Sequence, residues 1–152
     1  MSSKPDINAL MPHLVFVFGT LKEGFPNFGS NAGIRLPGEF VTEQPLPLYL
    51  VGERHSPWLI NAPGQGYQVA GQVFHVDQAA LEQMDALERI GEPDGYRRLS
   101  VAVVARGASF SQRIVAYAYM KAPEQFSLSS ARLGPLAEYT LEHAALYRRR
   151  AR

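Results

Sequence analysis

The sequence contains no cysteine, and this absence excludes disulfides, a thiol nucleophile and a zinc–thiolate site. Histidine is also scarce: four are present, and they show no spacing typical of metal ligands, so we expect no metal. Neither sign of charge dominates, because 15 Lys and Arg side chains stand against 14 Asp and Glu side chains. A net charge of +1 gives too weak a field to favour a nucleic-acid partner.

Long hydrophobic runs are missing as well. No stretch approaches the roughly 18 apolar residues that span a bilayer, and Met1–Asp6 lacks an apolar signal segment. We therefore expect a cytoplasmic protein with no membrane partner. The arginine cluster within residues 148–152 is interpreted as a solvated tail, which is the usual state of a terminal basic run.

The composition that is present is that of an ordinary globular protein. Of the 152 residues, 46% are hydrophobic and 19% are charged, which allows a sizeable core. We expect a single domain over residues 1–152, with flexible segments at residues 1–12 and 148–152.

Short apolar runs bounded by Gly, Pro and Asn predict a chain rich in β-strands. The predicted strands cover residues 14–18, 35–42, 48–51, 58–60, 67–76, 99–105 and 113–120. The predicted turns lie at residues 63–66, inside a hairpin, and at residues 106–109. Pro37-Gly38 interrupts the second strand and predicts an edge position or a bulge there. The last two strands are expected to pair as an antiparallel hairpin.

The clearest helical pattern covers residues 78–90, with Asp77 as the N-cap. Its predicted buried stripe follows the spacing i, i+3, i+4, i+7 and consists of Ala80, Leu81, Met84 and Leu87. A less regular pattern predicts a second helix over residues 135–147. Trp58, the one tryptophan, is predicted to be a core residue.

Glu88 falls inside the apolar stripe of the main helix. A carboxylate on an apolar face must be paired, neutral or functional, because burying an unpaired charge is costly. Pairing with Arg97 or Arg98 is the structural alternative. Asp85, one turn earlier, either orients Glu88 or is a solvated acid.

The first strand ends in a turn at Phe18-Gly19-Thr20-Leu21. The amides of Gly19, Thr20 and Leu21 have no strand partner beyond the turn, and glycine lets a ligand approach the main chain closely. Such donors suit a carboxylate or a developing oxyanion. A plain surface turn is the alternative.

Several different short motifs follow one another along the chain. They are residues 15–22 with Gly24 and Pro26-Asn27, Gly52-Glu53 with Pro57-Trp58-Leu59, residues 71–74, residues 84–88 and Tyr96-Arg97-Arg98. This set resembles the γ-glutamylcyclotransferase-like family, and most closely its γ-glutamylamine cyclotransferase branch. The resemblance spans residues 14–120.

The resemblance implies an α+β fold, a small β-barrel of mostly antiparallel strands with one principal helix and a pocket at the barrel mouth. It implies a cofactor-free cyclotransferase that converts a γ-glutamyl amine to 5-oxoproline and the free amine. Phe18–Leu21 match the substrate-binding loop, Glu88 the catalytic glutamate, and Tyr147 an aromatic position near the C-terminus. Phe18 stands where the family usually has tyrosine, so a hydroxyl is absent there.

The chemistry fits these residues because the substrate α-amine attacks a carbonyl of the same molecule, which gives a high effective concentration. Glu88 then has to carry protons as general acid and base. An unperturbed glutamate, with a pKa near ~4.3, is a poor base for an ammonium near ~8, and burial raises that pKa. Three alternatives stay open: other γ-glutamyl substrates such as γ-glutamyl amino acids or glutathione derivatives, a non-catalytic module that binds a small carboxylate, and an interaction domain that uses the arginine tail.

Overall fold

The computed structural model describes residues 7–107 and 112–150. Its strands are β1 (His13–Val17), β2 (Ile34–Arg35), β3 (Phe40–Thr42), β4 (Leu48–Val51), β5 (Ser56–Leu59), β6 (Ala70–Val76), β7 (Arg97–Ala105), β8 (Ile114–Met120) and β9 (Ala131–Leu133). Its helices are α1 (Ile7–Leu10), α2 (Gln78–Leu87) and α3 (Leu141–Ala144). None of the helices in this part of the chain has the length and apolar character needed to cross a bilayer.

Five strands close into a barrel. They follow the order β1-β8-β7-β3-β6, and β6 pairs back to β1 to complete the ring. The β1–β8 pairing is parallel, and the other pairings around the ring are antiparallel. Strand β2 adds to β6, while β5, β4 and β9 form a separate small sheet. The predicted α+β fold, a mostly antiparallel barrel with one principal helix, is confirmed.

Strand β1 is central because both of its faces are buried. Phe16 packs with Phe40 and Val73 in one core cluster, while Val15 and Val17 belong to a second cluster that includes residues of α2. Successive strand side chains point to opposite faces, so the run 15–17 supplies both clusters. Burial of each large apolar side chain contributes about 1.5–3 kcal/mol. The end of β1 is therefore a rigid platform for the turn that follows it.

The predicted turn at residues 63–66 is present, with the Gln65 amide donating to the Ala62 carbonyl at 3.3 Å, but the predicted hairpin around it is wrong. The strand after it, β6, pairs with β1 and β3, and the strand before it, β5, pairs with β4. The reason lies at Gly66, where an added Cβ would lie 2.6 Å from the Leu46 carbonyl oxygen. Leu46 also bridges to Tyr67, which directs the chain past the start of β4 instead of back along β5.

Other strand predictions hold with small shifts. The stretch 35–42 is split at Pro37-Gly38 into β2 and β3, as its interruption predicts, and 48–51 matches β4. The β7–β8 hairpin is confirmed by pairs from Arg97–Met120 to Val103–Ile114. Its predicted turn extends into residues 108–109, which lie outside the described residues.

Helix α2 starts as predicted but ends at Leu87, three residues earlier than predicted. Asp77 caps it, because its Oδ1 accepts a hydrogen bond from the Ala80 amide at 2.7 Å. Of the predicted stripe, Ala80, Leu81 and Met84 are buried. Leu87 is 37% exposed, so its predicted burial is wrong.

The end of α2 is a Schellman motif. Arg89 adopts a positive φ of 58°, and its amide donates to the Ala86 carbonyl at 3.2 Å. The Ile90 amide donates to the Asp85 carbonyl at 3.1 Å. These two bonds close the helix and leave Glu88 at the C-cap, with φ −85° and ψ 1°.

The C-terminal segment is mostly extended. The helix predicted over residues 135–147 is limited to Leu141–Ala144, because the chain before it pairs with other parts of the fold. The Leu136 amide donates to the Leu48 carbonyl at 2.8 Å, and the Ala137 carbonyl accepts from the Ala70 amide at 2.9 Å. The predicted flexible segments 1–12 and 148–152 include residues 1–6 and 151–152, which lie outside the described residues, and the single domain over residues 1–152 stays a prediction.

Candidate active site

A cavity of about 390 Å³ opens where the end of β1, the end of α2, the β4–β5 turn and the C-terminal segment meet. This volume lies within the range of small-molecule sites. Among the described residues, no group of three His, Asp or Glu side chains is arranged to hold a metal ion. The cavity is lined by Phe16–Leu21, Pro26, Asn27, Gly29, Ser30, Arg54, Ser56, Pro57, Leu87, Glu88, Tyr96, Tyr119, Tyr147, Arg149 and Arg150.

The turn after β1 lines this cavity, and its amides have no hydrogen-bond acceptor among the described residues. The Lys22 amide donates to the Gly19 carbonyl at 3.1 Å and closes the turn. Within residues 7–107 and 112–150, the amides of Gly19, Thr20 and Leu21 donate no hydrogen bond. Gly19 is needed for packing, since an added Cβ would lie 2.8 Å from Pro57 Cγ. The turn therefore offers several donors on a fixed backbone, an arrangement suited to an anionic oxygen.

Asn27 fixes this turn from the side. Its amide donates to the Thr20 carbonyl at 2.8 Å, and its Nδ2 donates to Thr20 Oγ1 at 2.9 Å. The same Nδ2 lies 3.2 Å from the Tyr147 hydroxyl, which accepts a hydrogen bond from it. Through Asn27 the residues predicted for substrate binding, Phe18–Leu21 and Tyr147, are brought to one wall of the cavity.

Glu88 also lines the cavity. It lies at the C-terminal end of α2, far along the sequence from the turn after β1. Burial raises the pKa of its carboxyl to about 7, against the opposing charges of Lys121, Arg150 and Arg54. Its carboxylate has no hydrogen-bond or ion-pair partner in the described part of the chain. It is only partly accessible, and it contributes to the cavity surface. Such a group is poised to exchange a proton near neutral pH.

The two arginines considered as partners of Glu88 are engaged elsewhere. Arg98 Nη1 lies 2.8 Å from Asp85 Oδ2, and Arg97 Nη1 lies 3.9 Å from Glu124 Oε1. The ion-pair alternative for Glu88 is therefore wrong in this structure. Both suggestions for Asp85 are wrong too, because it accepts hydrogen bonds from Arg98 and from the Tyr119 hydroxyl at 2.7 Å.

Tyr119 and Tyr96 form the aromatic part of the wall. The hydrogen bond to Asp85 and burial raise the pKa of Tyr119, burial being the larger cause. The Tyr96 hydroxyl donates to the Pro57 carbonyl at 2.9 Å, and burial and the Glu88 carboxylate raise its pKa. Both hydroxyls therefore stay protonated and act as fixed donors in this wall.

A buried lysine lies behind Tyr96. Lys121 Nζ donates to the Asp94 carbonyl at 2.6 Å and lies 4.4 Å from the Tyr96 ring centroid and 4.2 Å from that of Trp58. Burial lowers its pKa to about 8. Trp58 is only partly buried, so the prediction that it is a core residue is wrong. Its ring faces this cation instead.

The arginine segment at residues 148–150 is exposed to solvent as predicted, but it is also held against the rest of the fold. The Arg148 amide donates to the Arg54 carbonyl at 3.0 Å, and Arg149 and Arg150 line the cavity. Residues 148–150 are therefore solvated, as interpreted, but they form part of the cavity wall and not a free tail. Sequence reasoning gave no site role to Arg54, Arg149 or Arg150, because no local pattern shows that these segments meet.

Comparison with known proteins adds an independent finding. Residues 15–140 match the family described as "Gamma-glutamyl cyclotransferase, AIG2-like". The chain is 40% identical over 111 residues to "Gamma-glutamylaminecyclotransferase C" of Danio rerio, covering 67% of this chain and 70% of that protein. It is 39% identical over 98 residues to the bovine (Bos taurus) "Gamma-glutamylaminecyclotransferase", covering 61% of this chain and 57% of that protein. The crystal structure of an AIG2-like protein from Mus musculus superposes with a TM-score of 0.76 at 26% identity, covering 92% of this chain and 96% of that one.

Proposed function

Because the chain belongs to the γ-glutamyl cyclotransferase, AIG2-like family, we propose that it acts as a γ-glutamylamine cyclotransferase. In this reaction the α-amine of a γ-glutamyl amide attacks the γ-carbonyl carbon of the same molecule. A new C–N bond closes the five-membered ring of 5-oxoproline, and the original amide C–N bond breaks. The α-nitrogen changes from –NH3+ to the lactam N–H and so loses two protons. The departing nitrogen takes up two and leaves as an ammonium, so the reaction balances without a cofactor.

One observation carries the proposal: a carboxyl with a pKa near 7 and a turn of free amides line the same cavity. Glu88 supplies the proton carrier, and Gly19, Thr20 and Leu21 supply donors for an anionic oxygen. Because the two reacting groups belong to one substrate molecule, holding that substrate in a bent conformation brings them together. In favourable systems such positioning lowers the activation barrier by about 7–11 kcal/mol. The cavity thus has to position the substrate and to transfer a proton. We assign the first task to the turn amides and the second to Glu88.

The raised pKa of Glu88 makes the proton transfer feasible. An α-ammonium has a pKa near ~8, so transfer to an ordinary glutamate would be uphill by about 5 kcal/mol. With the pKa of Glu88 at about 7, the same transfer is uphill by about 1.4 kcal/mol. After ring closure the protonated Glu88 can return this proton to the departing nitrogen, and the second proton, lost by the ring nitrogen, is taken up by the freed amine.

The turn amides have two possible tasks, and both use the same donors. They bind either the substrate α-carboxylate or the oxyanion that develops on the γ-carbonyl oxygen. Phe18 contributes ring packing but no hydroxyl. Tyr147, held by Asn27, provides a further polar group on the same wall.

The decisive experiment incubates the protein with γ-glutamyl amides and measures 5-oxoproline and free amine. We expect Glu88→Gln to lower kcat by about a hundred- to ten-thousandfold, the usual contribution of a general acid–base. Glu92→Gln is the matched control, because Glu92 is exposed in the turn after α2 and its side chain makes no hydrogen bond or ion pair with the described residues.

Turnover that persists in Glu88→Gln would remove the proposed mechanism. Tight binding of glutamate without turnover of any amide would favour the non-catalytic carboxylate-binding module instead. Turnover confined to γ-glutamyl α-amino acids or glutathione derivatives would favour the other γ-glutamyl substrates. The cytoplasmic location stays a prediction, as does the absence of a nucleic-acid partner.

A further inference from the structure

Three arginines surround the outer part of the cavity, and they are called here the rim arginines: Arg54, Arg149 and Arg150. Arg54 lies in the β4–β5 turn, while the other two follow α3 near the C-terminus. The hydrogen bond from the Arg148 amide to the Arg54 carbonyl, 3.0 Å long, brings the two segments together. Arg149 and Arg150 are exposed and Arg54 is partly exposed, so these cations face the solvent side of the cavity.

The rim arginines are only partly neutralised. Arg149 donates to the Pro26 carbonyl, which carries no net charge. Arg150 lies 3.6 Å from Asp94, and that carboxylate already pairs with Arg89 at 3.0 Å. Arg54 has no ion-pair partner among the described residues. The rim therefore carries more positive than negative charge, and some of its guanidinium N–H groups are available to bind a ligand.

The inner part of the cavity has a different character. Phe18, Thr20 and Leu21 are buried, and Glu88 lies beside them on the cavity surface. In the proposed reaction this inner part holds the glutamyl half of the substrate, because both the proton carrier and the free amides are there. The departing amine has to extend from the γ-carbonyl towards the opening, where the rim arginines are.

From this arrangement we infer that the departing amine carries an acidic group, a carboxylate in the simplest case, which the rim arginines bind. This inference rests on the proposed function. A guanidinium binds a carboxylate through two parallel hydrogen bonds, so it gives both charge and direction. A departing group with a second amine would meet like charges at the rim and is disfavoured.

The test uses three γ-glutamyl amides whose departing groups each contain four carbons: butylamine, γ-aminobutyric acid and diaminobutane. They share the glutamyl half and differ in the charge at the far end. For the unaltered protein we expect kcat/KM for the acidic amide to exceed that for the neutral amide by about tenfold, the effect of two partly exposed ion pairs. The diaminobutane amide should rank last, and added salt should reduce the spread.

Single substitutions locate the effect. Arg54→Gln removes a charge with the least disturbance, because the Arg54 side chain has no ion-pair partner in the described part of the chain. We expect Arg54→Gln and Arg149→Gln each to reduce the acidic-to-neutral ratio by about threefold. Arg132→Gln is the matched control, since Arg132 is exposed on β9 and does not line the cavity, and it should leave the ratio unchanged.

The possible failures are distinguishable. If all three amides react at similar rates, or if the arginine variants slow all three equally, the inference is wrong while the proposed function stands. The equal slowing would mean that the rim arginines bind the shared glutamyl half. If none of the amides yields 5-oxoproline, the proposed function fails and the inference falls with it.

Discussion

Replacing Glu88 by glutamine should make the protein more stable while removing its activity. The physical reason is that burial disfavours the carboxylate and raises the pKa of Glu88 from 4.5 to about 7. In the unfolded chain the same group is solvated and ionises at its ordinary value. Above pH 7 the folded protein therefore contains an ionised carboxylate that would be more stable in water, whereas glutamine carries no charge at any pH.

The size of the effect follows from the pKa difference. Each pH unit corresponds to about 1.4 kcal/mol, so the change from 4.5 to about 7 has an upper limit of about 3 kcal/mol. The carboxylate lies at the cavity surface, so solvent screening reduces this energy. We therefore expect Glu88→Gln to raise the free energy of unfolding by about 1–2 kcal/mol at pH 8.

The sign of the pH dependence is fixed by proton binding. Between pH 4.5 and about 7 the folded state holds more protons than the unfolded state, because its Glu88 has the higher pKa. The free energy of unfolding of the unaltered protein should therefore fall as pH rises through this window. The advantage of Glu88→Gln should be small near pH 4.5, grow through the window and level off above it.

Urea unfolding at pH 5 and at pH 8 measures the difference directly. Glu92→Gln serves again as the control and should change the free energy of unfolding by less than about 0.5 kcal/mol at either pH. An equal gain for Glu88→Gln at both pH values, or a loss at pH 8, would refute the argument that Glu88 is ionised at a cost in the folded protein.

Three further predictions concern the same cavity. The kcat/KM of the unaltered protein should fall about tenfold from pH 8 to pH 6, because Glu88 accepts a proton only when ionised. Lys121→Met should move the midpoint of that fall above pH 7, since the charge of Lys121 lowers the pKa of Glu88; an unmoved midpoint in the rate profile would contradict this. Gly19→Ala should lower the free energy of unfolding by about 1–3 kcal/mol and slow turnover, because its Cβ would lie 2.8 Å from Pro57 Cγ; urea unfolding with steady-state rates tests this.

The parts of the fold that depend on local patterns are predictable from the sequence. Three such features are confirmed, and each follows from neighbouring residues: the strand 48–51, the interruption at Pro37-Gly38 and the Asp77 cap. Closure of the barrel through β1 and β8 follows from no local pattern, because it joins distant segments. It was expected only through the family resemblance.

The failed predictions have a common cause, which is tertiary contact overriding a local signal. The segment 135–140 has a helical pattern, yet its amides and carbonyls bond to Leu48 and Ala70, and Tyr139 is fully buried. The arginines of residues 148–150 are exposed, as a terminal basic run predicts, yet the Arg148 amide joins the segment to Arg54 at the cavity. Neither bond can be inferred from the residues beside it.

The end of α2 links the early stop of the helix to the chemistry of the cavity. Arg89, and not a glycine, occupies the left-handed position that closes the helix, so no residue before Gly91 signals the stop. The stop places Glu88 at the C-cap, where the negative end of the helix dipole adds to burial in disfavouring the carboxylate. A glutamate is a poor choice for stability at that position. Its presence beside the free amides is accounted for if a carboxyl that exchanges protons near neutral pH is what the cavity requires.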